Sequence, residues 1–254
     1  MLKALLWDVD GTLAETERDG HLVAMNEAFA EAGVPWRWSE ERYGELLRVA
    51  GGLERLMHSF DSEPAAPRET AARAELARTI HKRKNELYRR IVEQGRLPLR
   101  PGVRELFDDC AVAGLRMAVV TTTSRGNVEA LLRANLGDSW SVRFETVVAA
   151  EDAPRKKPDP QAYALALERL RLEPHEALAI EDSPPGLQSA AALGIPVLIA
   201  RSRFFERAAL PGALAVGPNL GTEAGWDPAP STPPNGRVGL PQLKAWHASH
   251  RARA

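Results

Sequence analysis

With 254 residues the chain can bury a substantial core, in one large domain or two smaller ones, and its formal charge is -1. That balance argues against a nucleic-acid or membrane partner held by bulk electrostatics. The single cysteine, Cys110, excludes an intramolecular disulfide framework and fits a reducing compartment, on the apolar side of a predicted helix where an inert buried thiol belongs. No window approaches the length of a membrane span, and strand-like sequence begins at Leu2 without a signal-peptide pattern, so a cytoplasmic location is expected.

The run Leu5-Leu6-Trp7-Asp8-Val9-Asp10-Gly11-Thr12-Leu13 is too short for a helix. It reads as a buried strand that delivers Asp8 and Asp10 to its carboxyl end before a sharp turn at Gly11. Alternation along a strand sends both carboxylates towards one spot. Carboxylates so close repel unless a shared proton or a cation relieves them, and a hard, oxygen-ligated cation such as Mg2+ does so economically. Taken alone the pair fits strand-end turn residues capping the next helix better, and the rest of the chain decides.

Leu22, Met25, Phe29 and Ala32 recur at helical spacing, and Gly33 with Pro35 ends that helix. Ser39 suits an N-cap for a helix over 40–49, and Gly51-Gly52 breaks the chain again. A third helix is predicted over 53–60, and a long amphipathic one over 69–94, closed by Gly95. Residues 15–96 thus read as a helical cap domain of four helices inserted after the first strand.

From Arg100-Pro101-Gly102 the pattern changes. Helices are predicted up to about 113 and over 127–135, 161–172 and 185–193, and strands over 115–120, 146–149, 177–180 and 196–200. Alternating strand and helix argues a parallel sheet with helices on both faces, built from residues 1–14 and 97–254. Residues 211–239, rich in Pro and Gly, read as irregular, and 240–250 as a terminal helix docking Leu243 and Trp246.

Several strand and loop ends in the alternating part are polar: Asp8 and Asp10, Thr121, Lys157, then Glu181 and Asp182. In an open parallel sheet such ends converge where ligands bind. Carboxylates, one ammonium and one hydroxyl suit a phosphate ester with Mg2+, the metal neutralising carboxylates and phosphoryl while the lysine and hydroxyl hold the remaining oxygens. An aspartate there can attack phosphorus, and a second carboxylate can protonate the leaving oxygen and then activate water.

Asp8-x-Asp10-Gly11-Thr12, the strand-end threonine, Lys157-Pro158-Asp159-Pro160 and Glu181-Asp182-Ser183 resemble the four motifs of the haloacid-dehalogenase superfamily, and the helical insert resembles the C1-type cap of its beta-phosphoglucomutase-like branch. The resemblance covers Leu2 to about Ala200. It implies Asp8 as nucleophile and Asp10 as general acid/base. It also implies Mg2+ held by Asp8, the Asp10 main chain and Asp182, with Glu181 in or beside that shell, and Thr121, with Thr122 beside it, and Lys157 on the transferring phosphoryl. Thr122, Thr123, Ser124, Arg125 and Asn127 either bind substrate or cap the following helix.

Glu15-Thr16-Glu17-Arg18-Asp19-Gly20-His21, Tyr43-Gly44-Glu45-Leu46-Leu47, Gly51-Gly52-x-Glu54-Arg55 and Ile80-His81-x-x-Lys84-x-x-x-Tyr88 are similar to the CbbY-type proteins. That similarity implies hydrolysis of xylulose 1,5-bisphosphate to xylulose 5-phosphate, which removes an inhibitor of Rubisco in the Calvin cycle. A second phosphate needs a cation away from the metal, and the fork of Arg55, after a loop where Gly52 lets the backbone approach, suits it. Glu17, His21 and Lys84 join the expected substrate contacts, although a solvated basic face would also explain His81 and Lys84. Leu53 departs from the lysine usual in those relatives, and either faces the cap interior or alters substrate choice. Trp36 and Trp38 are expected to pack the cap. His58, His175, His247 and His250, and the run 201–207, read as surface. A monomer acting on a small phosphorylated sugar is expected. The rivals are a phosphomutase, a dehalogenase, and a phosphosugar-binding protein without catalysis.

Overall fold

The computed structural model describes residues 1–232 and 235–251, so residues 233, 234 and 252–254 of the predicted tail lie outside the described residues. The strands are β1 (Ala4–Trp7), β2 (Arg116–Val120), β3 (Thr146–Val148), β4 (Ala177–Glu181), β5 (Val197–Ala200) and β6 (Ala215–Gly217). They form one parallel sheet in the order β3-β2-β1-β4-β5-β6. β1 lies between β2 and β4, with Trp7 opposite both Val119 and Ile180. That register brings the carboxyl ends of three strands side by side, which is where the sequence puts its polar residues.

The period-2 alternation expected of a two-faced sheet is explicit. Leu5, Trp7, Met117, Val119, Leu178 and Ile180 point to one core, while Ala4, Leu6, Ala118, Val120 and Ala179 point to the other. Burying each of Leu5, Leu6 and Trp7 contributes about 1.5–3 kcal/mol, which anchors the strand that carries Asp8.

Between β1 and β2 the chain is helical: α1 (Val23–Glu31), α2 (Glu40–Leu46), α3 (Gly52–Ser59), α4 (Thr70–Glu93), then α5 (Val103–Ala113). The predicted first helix begins with a wider turn, Glu17–Leu22, that buries Gly20 and His21. Ser39 caps α2 through the Arg42 amide at 3.1 Å. Trp36 and Trp38 lie edge-on to Phe29 at 5.7 and 5.1 Å and pack the insert. The insert shares its apolar core with the Trp7 face of the sheet, where α5 sets Phe107 against Trp7 at 4.9 Å. After β2 come α6 (Arg125–Leu136), α7 (Gln161–Leu170), α8 (Pro184–Ala191) and α9 (Leu240–Arg251). α7 and α8 cover the second face with Tyr163, Leu167, Leu170, Leu187 and Ala190. Cys110 is buried on α5, and burial pushes its thiol up to about 12, so it is inert.

The tail corrects two expectations. Residues 211–239 are not irregular throughout, because Ala215–Gly217 pairs with β5 as the sixth strand. Trp226 lies over Gly217 so closely that a Cβ there would overlap its ring, and Asp227 pairs back onto Val216. α9 docks Leu243 and Trp246, the latter 5.3 Å from Trp226. His247 is buried against the His175 carbonyl at 2.9 Å, not a surface residue, because it falls on the docked side of α9. No helix among the described residues is long and apolar enough to cross a membrane.

Candidate active site

Asp8 follows β1 directly and is 7% exposed. The Lys157 ammonium, delivered by the loop before α7, donates to Asp8 Oδ1 at 2.7 Å, to Glu181 Oε1 at 2.6 Å and to the Val120 carbonyl at 2.8 Å. Its charge is held on by these partners, which outweigh its burial and raise its pKa. One ammonium does not balance the carboxylates around it. Burial first, then the Glu181 charge, pushes the Asp8 carboxyl up to about 7, against the opposing pull of Lys157.

Asp182 lies beyond the end of β4, with its Oδ2 accepting the Ser202 hydroxyl at 2.5 Å. Its carboxyl is raised well above the usual range by burial, then by Asp8 and Glu181. One carboxylate oxygen from each of Asp8, Glu181 and Asp182 lies within 4.8 Å of the others. The ammonium serves two of these three buried acids, which leaves a deficit of positive charge, and an all-oxygen set of this kind fits a hard divalent cation. Glu181 is the least free of the three. Besides Lys157 it accepts from the Tyr163 hydroxyl at 2.8 Å and from the Ser183 hydroxyl at 3.3 Å.

Asp10 turns into the cleft, where it accepts from the Thr16 hydroxyl at 2.6 Å and meets His21 Nε2 at 2.9 Å. Burial raises its pKa, but the His21 charge and both hydrogen bonds outweigh that and hold the carboxyl at about 2. The His21 ring stacks on Tyr88 with centroids 4.1 Å apart, while its buried Nδ1 has no hydrogen-bond partner among the described residues.

Two adjoining cavities share Asp10, Glu17, Arg55 and Thr122. The smaller, about 60 Å³, is lined also by Asp8, Lys157, Asp182 and Phe205. The larger, about 290 Å³, adds His21, Gly52, Leu53, His81, Lys84, Asn127 and Lys156. All the predicted cap residues therefore face the cleft, and the solvated-face explanation of His81 and Lys84 does not hold. Lys84 is buried, 3.4 Å from Asn85 Oδ1 and with no carboxylate within ion-pair distance among the described residues; burial lowers its pKa to about 8. Burial, then Lys84, lowers His81 to about 4, leaving it a neutral imidazole. Arg55 is already engaged. It donates to the Tyr43 hydroxyl at 2.9 Å and to the Val49 carbonyl at 3.3 Å, and stands 3.8 Å from Glu17, which in turn accepts from Tyr43. Leu53 is half-buried against the core and also lines the larger cavity.

Of the threonines, Thr122 lines both cavities, whereas Thr121 lines neither and its buried hydroxyl accepts the Thr123 amide at 3.2 Å. β2 ends at Val120 as expected, and it is the second residue beyond it, not the first, whose side chain meets the cleft. The run 201–207 is not a solvated edge: Ser202 is buried on Asp182 and Phe205 lines the smaller cavity. Tyr163 and Ser202 carry no mark in the sequence, and Tyr43 stands there only within a cap motif and without a role, since a tyrosine on an amphipathic helix reads as core until its hydroxyl is seen to meet a carboxylate.

A parallel sheet with a lysine and aspartates at the carboxyl rim defines a class. Residues 2–194 match the haloacid dehalogenase-like hydrolase family, and the chain belongs to it, as one of its phosphatases. The protein CbbY of Cupriavidus necator is 43% identical over 249 residues, covering 97% of each chain. Among solved structures, CbbY from Rhodobacter sphaeroides in complex with phosphate superposes with a TM-score of 0.78 at 39% identity, covering 84% of this chain and 92% of that one. A mutant of it in complex with xylulose 1,5-bisphosphate matches at 0.78 and 38%, with the same coverage.

Proposed function

We propose that the protein is a Mg2+-dependent phosphatase of small sugar bisphosphates, converting xylulose 1,5-bisphosphate to xylulose 5-phosphate and inorganic phosphate. One observation carries this reading. The cavity bounded by Asp8, Lys157 and Asp182 opens into a larger one holding the buried ammonium of Lys84, which gives two cationic stations for a substrate with two phosphates. The binding of xylulose 1,5-bisphosphate by a similar protein supports it.

In this reading Asp8, Asp182 and the Asp10 main chain hold the metal, with Glu181 beside them. The metal supplies charge neutralisation of phosphoryl and carboxylates. Asp8 attacks phosphorus through one carboxylate oxygen, the phosphorus–oxygen ester bond breaks, and the leaving sugar oxygen takes a proton from the Asp10–His21 pair. Water, giving its proton back to that pair, then attacks phosphorus, which releases inorganic phosphate and restores Asp8. The first step needs the pair protonated and the second needs it deprotonated, a division suited to two coupled groups 2.9 Å apart. Lys157 and Thr122, rather than Thr121, hold the phosphoryl oxygens, while Lys84, Arg55, Glu17 and the backbone at Gly52 receive the rest of the substrate.

The test is phosphate release across a panel of pentulose and hexose mono- and bisphosphates, with Mg2+ and with chelator. Preference for xylulose 1,5-bisphosphate with Mg2+ supports the proposal. Isomerised hexose phosphate from beta-glucose 1-phosphate without free phosphate would replace it with a mutase.

A further inference from the structure

Asp182 is held from behind by a frame in which Ser202 and Arg100 belong to none of the sequence motifs. Ser202, 4% exposed, donates its hydroxyl to Asp182 Oδ2 at 2.5 Å. Gly11 lies against the same oxygen, where a Cβ would overlap Oδ2 and approach Ser202 Cβ to 3.0 Å. The Oδ2 end of Asp182 thus sits in a slot where the turn after Asp10 meets the chain after β5. The slot is braced by Arg100, a buried guanidinium that donates to the Gly11 carbonyl on one side. On the other it donates to the carbonyls of Ala200 at 2.8 Å, Arg201 at 2.5 Å and Pro218 at 2.8 Å. One planar, always-charged group therefore fixes the separation of the two walls.

We infer that Ser202 is a positioning residue for Asp182: by occupying Oδ2 it turns the other carboxylate oxygen towards Asp8 and sets the orientation in which Asp182 binds the divalent cation. The inference rests on the metal reading given above. The physical reason is directional. A carboxylate has two equivalent oxygens and a free torsion, and a charge-assisted hydrogen bond to one of them removes that freedom before the cation arrives. Partners that orient metal ligands in this manner change metal affinity by about 10–100-fold when removed. Ser202 touches no reacting atom, so its effect is on loading of the site rather than on the chemical step.

The test is titration of substrate-free protein with Mn2+, followed by the paramagnetic signal of the free ion, on unaltered protein and on Ser202→Ala, Ser202→Thr and Arg203→Ala. Arg203 is exposed on the same segment and touches Glu40 and Glu15 instead of Asp182, so it reports on general loosening of the segment. Expected are Mn2+ binding about 10–100-fold weaker in Ser202→Ala, near-normal binding in Ser202→Thr, which keeps the hydroxyl, and unchanged binding in Arg203→Ala, all with metal-free unfolding temperatures like the unaltered protein's. With substrate, Ser202→Ala recovers most of its kcat at saturating Mg2+. Metal affinity unchanged in Ser202→Ala, or lowered equally in Arg203→Ala, overturns the inference alone. Failure of the unaltered protein to bind Mn2+ overturns the metal reading and the inference with it.

Discussion

Replacing Lys157 by methionine keeps the length of the side chain and removes its charge from the most crowded point of the site. The ammonium is 5% exposed and satisfies Asp8, Glu181 and the Val120 carbonyl together. Its loss leaves two buried carboxylates without their shared cation, a change that costs about 3–5 kcal/mol when both are ionised. The cost depends on pH in a defined direction. The Asp8 carboxyl stands at about 7 with the lysine present and rises further without it, so its folded pKa lies above the unfolded one. Stability from such a group is fully present below its unfolded value, and is lost as pH rises through the folded one. The deficit of Lys157→Met is therefore expected to be small at pH 5 and to grow to about 3–5 kcal/mol by pH 8, measured by denaturant unfolding in chelator. With one transition-state donor gone, kcat at saturating Mg2+ falls about 100–1,000-fold. A deficit equal at pH 5 and pH 8, or below about 1 kcal/mol at pH 8, would refute this account of why the lysine is buried there.

Lys84 titrates near the working range, its charge present below about 8 and lost above it. Accordingly kcat/KM for a bisphosphate is expected to fall as pH rises through 8, while Lys84→Met flattens that limb and lowers kcat/KM about 10–100-fold; an unchanged limb in the variant would assign it elsewhere. Gly11 holds φ +87 and its missing Cβ makes room for Asp182, so Gly11→Ala is expected to displace that carboxylate and abolish Mn2+ binding, read by the same titration. Ser39→Ala removes the cap of α2, which carries Tyr43, and is expected to cost about 1 kcal/mol in denaturant unfolding with little change in kcat.

How far the sequence discloses this arrangement depends on which interaction decides each position. β1, β2, β4 and β5 are apolar runs buried on both faces and closed by polar residues, so composition alone marks them, and the parallel order follows from the intervening helices. β6 carries no such mark. Ala215-Val216-Gly217 lies between prolines, and its strand state comes from pairing with Leu198–Ala200 and from the Trp226 ring above it, both remote in sequence. Asp8, Asp10, Lys157 and Asp182 are legible because four spaced motifs coincide. The choice between Thr121 and Thr122 is not, because a one-residue difference in where a strand leaves its sheet reverses the facing of a side chain. Arg55 illustrates a different limit: its cleft position agrees with the spacing, but its engagement with Tyr43 and Glu17 follows from how α2 and α3 pack. Ser202 and Arg100 were invisible for the same reason, since neither has a local pattern to announce that it faces Asp182 or Gly11.

The central claim is that Asp8 becomes phosphorylated in a site completed by a divalent cation. Rapid-quench mass spectrometry of the protein mixed with xylulose 1,5-bisphosphate and Mg2+ addresses it directly. A phosphoryl group on the peptide carrying Asp8, absent with chelator and absent from Asp8→Asn, is the predicted result. Undiminished phosphate release from Asp8→Asn, or from the unaltered protein in chelator, would contradict the account.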